Sequence, residues 1–140
     1  RVLDLFAGTG ALGLEALSRG GVHATFVENG RVGQRLIAEN IAKAKRQADA
    51  VILKIDAIKL GPAAQPANLI FLDPPYSLFP KVGSQIFELI KRNQIIKKAG
   101  FLIHEAPPEE ESDFEGWNLV KTIGKSKKGS PLFRLFQVEN

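Results

Sequence analysis

The sequence contains no cysteine, which excludes disulfides, thiol nucleophiles and cysteine-based zinc sites. No apolar run approaches the roughly 20 residues a helix needs to cross a bilayer. The opening residues, Arg1-Val2-Leu3-Asp4, read as core sequence and not as a signal peptide. That start also lacks a Met, so a further N-terminal segment is expected to precede it. Neither His23 nor His104 has a partner at ligand spacing, and no metal site is expected. A cytoplasmic monomer is the expectation.

What is present is ordinary in amount. The chain has 140 residues, 44% hydrophobic and 24% charged, enough for one domain spanning residues 1–140 with a proper core. The net charge is +4. Its placement says more than its size: Lys125, Lys127 and Lys128 crowd into "GKSKKGS", a candidate for phosphate contacts with a nucleic acid.

Apolar runs and helical periodicity alternate along the chain. Strands are expected at Val2–Phe6, Ala24–Glu28, Ala50–Ile55, Asn68–Leu72 and Phe101–His104. Helices are expected at Ala11–Arg19, stopped by Gly20-Gly21, at Arg31–Lys45 and at about Lys81–Arg92. This alternation predicts a parallel sheet with helices on both faces. After Pro107-Pro108 the rhythm changes. Trp117–Ile123 and Leu132–Val138 are separated only by the basic loop, which predicts an antiparallel hairpin near one edge. Arg134 reads as an exposed strand residue, His104 as structural, and Trp117 as core edge.

Two segments carry chemistry. "LDLFAGTGALG" (Leu3–Gly13) places Gly8, Gly10 and Gly13 in a G-x-G-x-x-G turn between the first strand and the first helix. Glu28 closes the second strand, near the spacing of a ribose-binding acid. This pattern suits a dinucleotide. It suits S-adenosylmethionine equally, whose sulfonium and amino-acid tail favour nearby acids. Asp4, Glu28, Asp56 and Asp73 all fall at one sheet edge, which favours the cationic ligand.

The second segment is "NLIFLDPPYS" (Asn68–Ser77). It should lie across from the glycine turn, because ligands sit beyond the carboxyl ends of strands where strand order reverses. Pro74 and Pro75 have no N–H groups, so this corner offers acceptors without competing donors, suited to an NH₂ group. Tyr76 offers a flat face for a base, worth about 1–3 kcal/mol in single-strand binders. Asp73 is the expected acceptor of an amine proton, in an in-line methyl transfer driven by positioning and electrostatics.

"VLDLFAGTGALGLEALSRG" with "FLDPPY", "FVE" and the tail "SKKGSPLFRLFQ" resembles class I S-adenosylmethionine-dependent methyltransferases of the RsmD type. That family methylates guanine N2 in small-subunit (16S) ribosomal RNA. The resemblance implies a doubly wound, mostly parallel α/β sheet of seven strands, Rossmann-like, whose last strand is antiparallel. It implies S-adenosylmethionine as cofactor, held by Asp4, Phe6, Ala7, Gly8, Gly10, Glu28, Asn29, Asp56 and Ala57. Asp73, Pro74, Pro75 and Tyr76 would hold the target amine and base, with Lys125, Lys127 and Lys128 on ribosomal RNA or a small-subunit particle. The alternatives are a DNA adenine-N6 or protein-glutamine methyltransferase and, in other classes, an NAD-binding oxidoreductase or a non-catalytic RNA-binding scaffold.

Overall fold

The computed structural model describes residues 1–125, 127 and 129–140. Seven strands form one sheet: β1 (Val2–Leu5), β2 (Ala24–Val27), β3 (Ala50–Leu53), β4 (Ala67–Leu72), β5 (Ile96–Ala106), β6 (Trp117–Ile123) and β7 (Leu132–Val138). Their spatial order is β3-β2-β1-β4-β5-β7-β6. The first five run parallel, and β7 inserts antiparallel between β5 and β6. The expected doubly wound sheet with its C-terminal hairpin is therefore the observed one. Strand order reverses between β1 and β4, so a crevice opens where these two neighbours send their chains to opposite faces.

Helices α1 (Ala11–Ser18), α2 (Arg31–Lys43) and α3 (Phe79–Arg92) cover the sheet. Alternation along β1 feeds two cores. Val2 packs with Ala24, Phe26, Leu17, Ile37 and Ile41 beneath α1 and α2. Leu3 and Leu5 face the other way, into the larger cluster under α3. There Ile86, Phe87 and Ile90 are fully buried on one stripe of the helix. Phe87 stacks on Phe114 at 3.9 Å and meets Trp117 and Phe136 edge-on. Trp117 is buried there, and its indole N–H donates to the Phe87 carbonyl.

Two local details differ from the sequence expectation, the extent of β5 and the burial of Arg134. Strand β5 is longer at both ends, beginning in the polar Ile96–Gly100 segment, because pairing with β4 and β7 supplies the hydrogen bonds that composition does not advertise. No helix follows β5; residues 107–116 form a loop. Arg134, expected on the surface, is buried. It shares a face with Leu132 and Phe136, and its guanidinium donates to the carbonyls of Pro108, Glu110 and Glu111. The arginine thereby fastens the loop after β5. Among the described residues no helix is long and apolar enough to cross a membrane.

Candidate active site

A cleft of about 780 Å³ opens at the carboxyl ends of β1 and β4. Its wall on one side is the turn after β1, with Phe6, Ala7, Gly8 and Thr9, and on the other the corner Asp73–Tyr76. Glycine turn and proline corner thus share one cavity.

The glycine turn is shaped by backbone demands. Phe6 has φ 57°, a left-handed conformation rare for a bulky residue and costing about 1 kcal/mol or more. It swings the chain out of the strand. Gly10, at φ 80°, starts α1. A Cβ at Gly13 would stand 2.4 Å from the Phe26 ring and 3.2 Å from the Asp4 carboxylate. The missing side chain lets the Gly13 N–H donate to Asp4 at 3.0 Å.

Four carboxylates line the cleft: Asp4, Glu28, Asp56 and Asp73. Three are tied to the backbone. Asp4 accepts from Gly13; Glu28 accepts from the Gly8 and Gly30 amides at 2.9 and 3.0 Å; Asp56 accepts from the Ile58 amide and caps a short turn. Among the described residues, Asp73 alone of the four accepts no hydrogen bond from the protein. Burial pushes the Asp4 carboxyl up to about 7, against the lowering effect of the Gly13 bond, and Asp73 and Glu28 add to the rise. Asp73 is also raised, by desolvation first and then by Glu105. Among the described residues no lysine or arginine lines the cleft.

The corner is held from behind. His104, buried, contacts the Leu72 carbonyl through Nδ1 and Glu110 through Nε2, and its ring stacks on Phe79 at 4.1 Å. Pro74 and Pro75 line the cleft, but the Pro75 carbonyl accepts from the Leu78 and Phe79 amides. It is committed to starting α3, so the acceptors left to this corner are those of Asp73 and Pro74. Tyr76 is 54% exposed. Its hydroxyl donates to Glu105 at 3.3 Å, and desolvation together with that carboxylate raises its pKa.

The structure brings together Asp4, Phe6, Ala7, Gly8, Glu28, Asn29, Asp56, Asp73, Pro74, Pro75 and Tyr76 around the cleft. Two expected residues do not line it. Gly10 is buried at the start of α1, packed toward Phe26 and Ile37. Ala57 points into the core under α3. Lys125 and Lys127 are exposed on the β6–β7 hairpin, away from the cleft lining; Lys128 lies outside the described residues. Sequence reasoning missed Thr9, Ala11, Leu12 and Leu78 as wall residues. Leu12 is the informative miss: it reads as part of the apolar helix face but is 40% exposed.

The family described as "Conserved hypothetical protein 95" matches residues 1–137. Ribosomal RNA small subunit methyltransferase D of Escherichia coli K12 is 32% identical over 146 aligned positions, covering 98% of this chain and 68% of the relative. A solved conserved hypothetical protein of Streptococcus pyogenes superposes with TM-score 0.83 at 28% identity, covering 99% of this chain and 86% of that one. The [4+2]-cyclase SpnF superposes almost as well, TM-score 0.78 with 11% identity over 99% of this chain and 75% of that one; that likeness shows the fold alone. With a match along nearly its whole length and a curated relative at about a third identity, the chain belongs to the Conserved hypothetical protein 95 family, the RsmD-type methyltransferases its motifs resemble.

Proposed function

We propose that this chain transfers a methyl group from S-adenosylmethionine to the exocyclic amine of a nucleobase, guanine N2 of small-subunit ribosomal RNA. The observation that carries the reading is the cleft's set of carboxylates: three tied to the backbone beside the glycine turn, and Asp73 free across from them. Among the described residues the charged side chains that line the cleft are all acidic, which suits a cation and offers a pyrophosphate no counter-charge, and this favours S-adenosylmethionine over a dinucleotide.

The residues present fit that cofactor. A Cβ added at Gly8 would meet nothing within 4 Å, so the turn faces open space that a ligand can fill. Asp4, Ala7 and Gly8 would hold the amino-acid end, Glu28 and Asn29 the ribose, and Asp56 the adenine edge. Bound there, S-adenosylmethionine supplies an electrophilic methyl group. The protein supplies position. Asp73 and the Pro74 carbonyl accept the amine hydrogens, leaving the nitrogen lone pair directed across the cleft. Asp73 takes the proton released as the new C–N bond forms. Tyr76 presents its ring to the base, and Lys125, Lys127 and Lys128 provide phosphate contacts.

Transfer of tritiated methyl groups to small-subunit ribosomal RNA or particles tests this directly. Asp73→Ala should lower turnover by ~100-fold or more while cofactor affinity stays within a few-fold, the pattern of a lost transition-state contact. Unchanged turnover in Asp73→Ala removes the assignment.

A further inference from the structure

A second cavity adjoins the cleft. It measures about 360 Å³ and is walled by Leu12, Phe71, Ile103, Phe133, Leu135 and Ile123. Its polar side chains are Asp73 and Glu105. Leu12 and Asp73 line both cavities, so the apolar groove begins where the reacting carboxylate stands. It ends at Ile123 and Phe133, at the base of the hairpin that carries Lys125 and Lys127.

Strand register explains the carboxylate pair. β4 and β5 run parallel, with Leu72 opposite His104, and both of these face α3, where His104 stacks on Phe79. Glu105 follows His104 in β5, so alternation turns its side chain to the α1 face. Asp73 is the first residue past the end of β4, and it lines the same groove. Glu105 is half-buried, and the Tyr76 hydroxyl donates to its Oε1. That single bond leaves most of its acceptor capacity unused.

We propose that Glu105 determines which base is methylated: its carboxylate accepts the ring N1–H of a guanine seated in the apolar groove, while the 2-amino group of the same base donates to Asp73. This rests on the methyl-transfer reading above. A purine extruded from its stack is read along its Watson–Crick edge between apolar walls, and this groove has both parts. Guanine presents two neighbouring donors on that edge, the amine and N1–H, matching two neighbouring acceptors. Adenine presents an amine beside an unprotonated N1, a lone pair that Glu105 repels. The discrimination comes from an acceptor, enclosed once a base is seated, that only the correct base satisfies.

The test compares wild type and Glu105→Gln on an oligoribonucleotide carrying the mapped acceptor guanosine, and on the same RNA with 2-aminopurine at that position. 2-Aminopurine keeps the reactive amine but has an unprotonated N1. Glutamine keeps an acceptor for Tyr76 and adds an NH₂ that can donate to that N1. Wild type should prefer guanine by ~100-fold in kcat/KM, and the variant should shrink that ratio at least ~10-fold with S-adenosylmethionine affinity unchanged. A general structural defect would lower both substrates together and leave the ratio fixed. An unchanged ratio overturns the inference, whatever happens to turnover on guanine, and returns the groove to packing against protein. A wild-type chain that methylates neither RNA removes the methyl-transfer reading and this inference with it.

Discussion

The Asp4 carboxylate accepts the Gly13 amide at 3.0 Å, and the absent Gly13 side chain makes room for both that bond and the Phe26 ring. β1 and α1 are thus locked together at the floor of the cleft. In Gly13→Ala, a methyl group would need space 2.4 Å from Phe26, a fully buried ring with little freedom to retreat. Overpacking of this kind costs about 1–3 kcal/mol. Urea unfolding should show the loss, with cofactor affinity falling alongside because the turn must shift.

Asp4 also sets a pH dependence. Its carboxyl titrates near 3.8 in the unfolded chain and about 7 in the folded one. Between those values the folded state keeps a proton that the unfolded state has released. Stability therefore declines as pH rises from about 4 to about 7, then stays at the lower level. Asp4→Asn keeps an acceptor for Gly13 and cannot ionise, so its melting temperature, measured without cofactor from pH 5 to 8, should fall less than that of wild type. A cationic ligand reverses the preference for the neutral acid. S-adenosylmethionine should bind wild type more tightly above pH 7 than at pH 5.5, with proton release visible as buffer-dependent heat, and Asp4→Asn should lose that release.

Glu28 bridges the glycine turn and the β2–α2 loop through the Gly8 and Gly30 amides. Glu28→Gln places an NH₂ group against one of those donors and removes a charge from the ribose end. Calorimetry should show S-adenosylmethionine binding ~10–100-fold more weakly, equivalent to about 1.4–2.7 kcal/mol. Equal affinity would take Glu28 out of the cofactor site.

Arg134 holds three carbonyls of the loop after β5, and Glu110 of that loop reaches His104 behind the Leu72–Asp73 corner. Arg134→Met keeps the aliphatic stem but abandons those acceptors in a part-buried site. The expected loss is about 2–3 kcal/mol in urea unfolding, with faster amide exchange over residues 107–111. Turnover should fall more than cofactor affinity, since the loop supports the acceptor corner and not the glycine turn.

Much of this was legible in the sequence because backbone and periodicity dictate it. Apolar runs punctuated by glycine specify the parallel strands, and the short Ile123-to-Leu132 link specifies a hairpin. The glycine turn and the proline corner meet because the reversal of strand order leaves one crevice for both. The buried Arg134 was not legible: an arginine between Phe133 and Leu135 reads as solvent-facing, and only the loop packed over that face supplies its carbonyl partners. The direction of the Ala57 side chain was not legible either, since its turn sends it into the core under α3. The Pro75 carbonyl was misjudged because its capture by Leu78 and Phe79 depends on where α3 begins, two residues earlier than periodicity placed it.

Calorimetric titration of the chain with S-adenosylmethionine and, separately, with NAD at pH 7.5 most directly tests whether this acidic cleft is built for a sulfonium donor. The predicted result is saturable one-to-one binding of S-adenosylmethionine, weakened by Glu28→Gln, and no measurable binding of NAD. Preferential binding of NAD, or S-adenosylmethionine binding indifferent to Glu28 and Asp4, would contradict it.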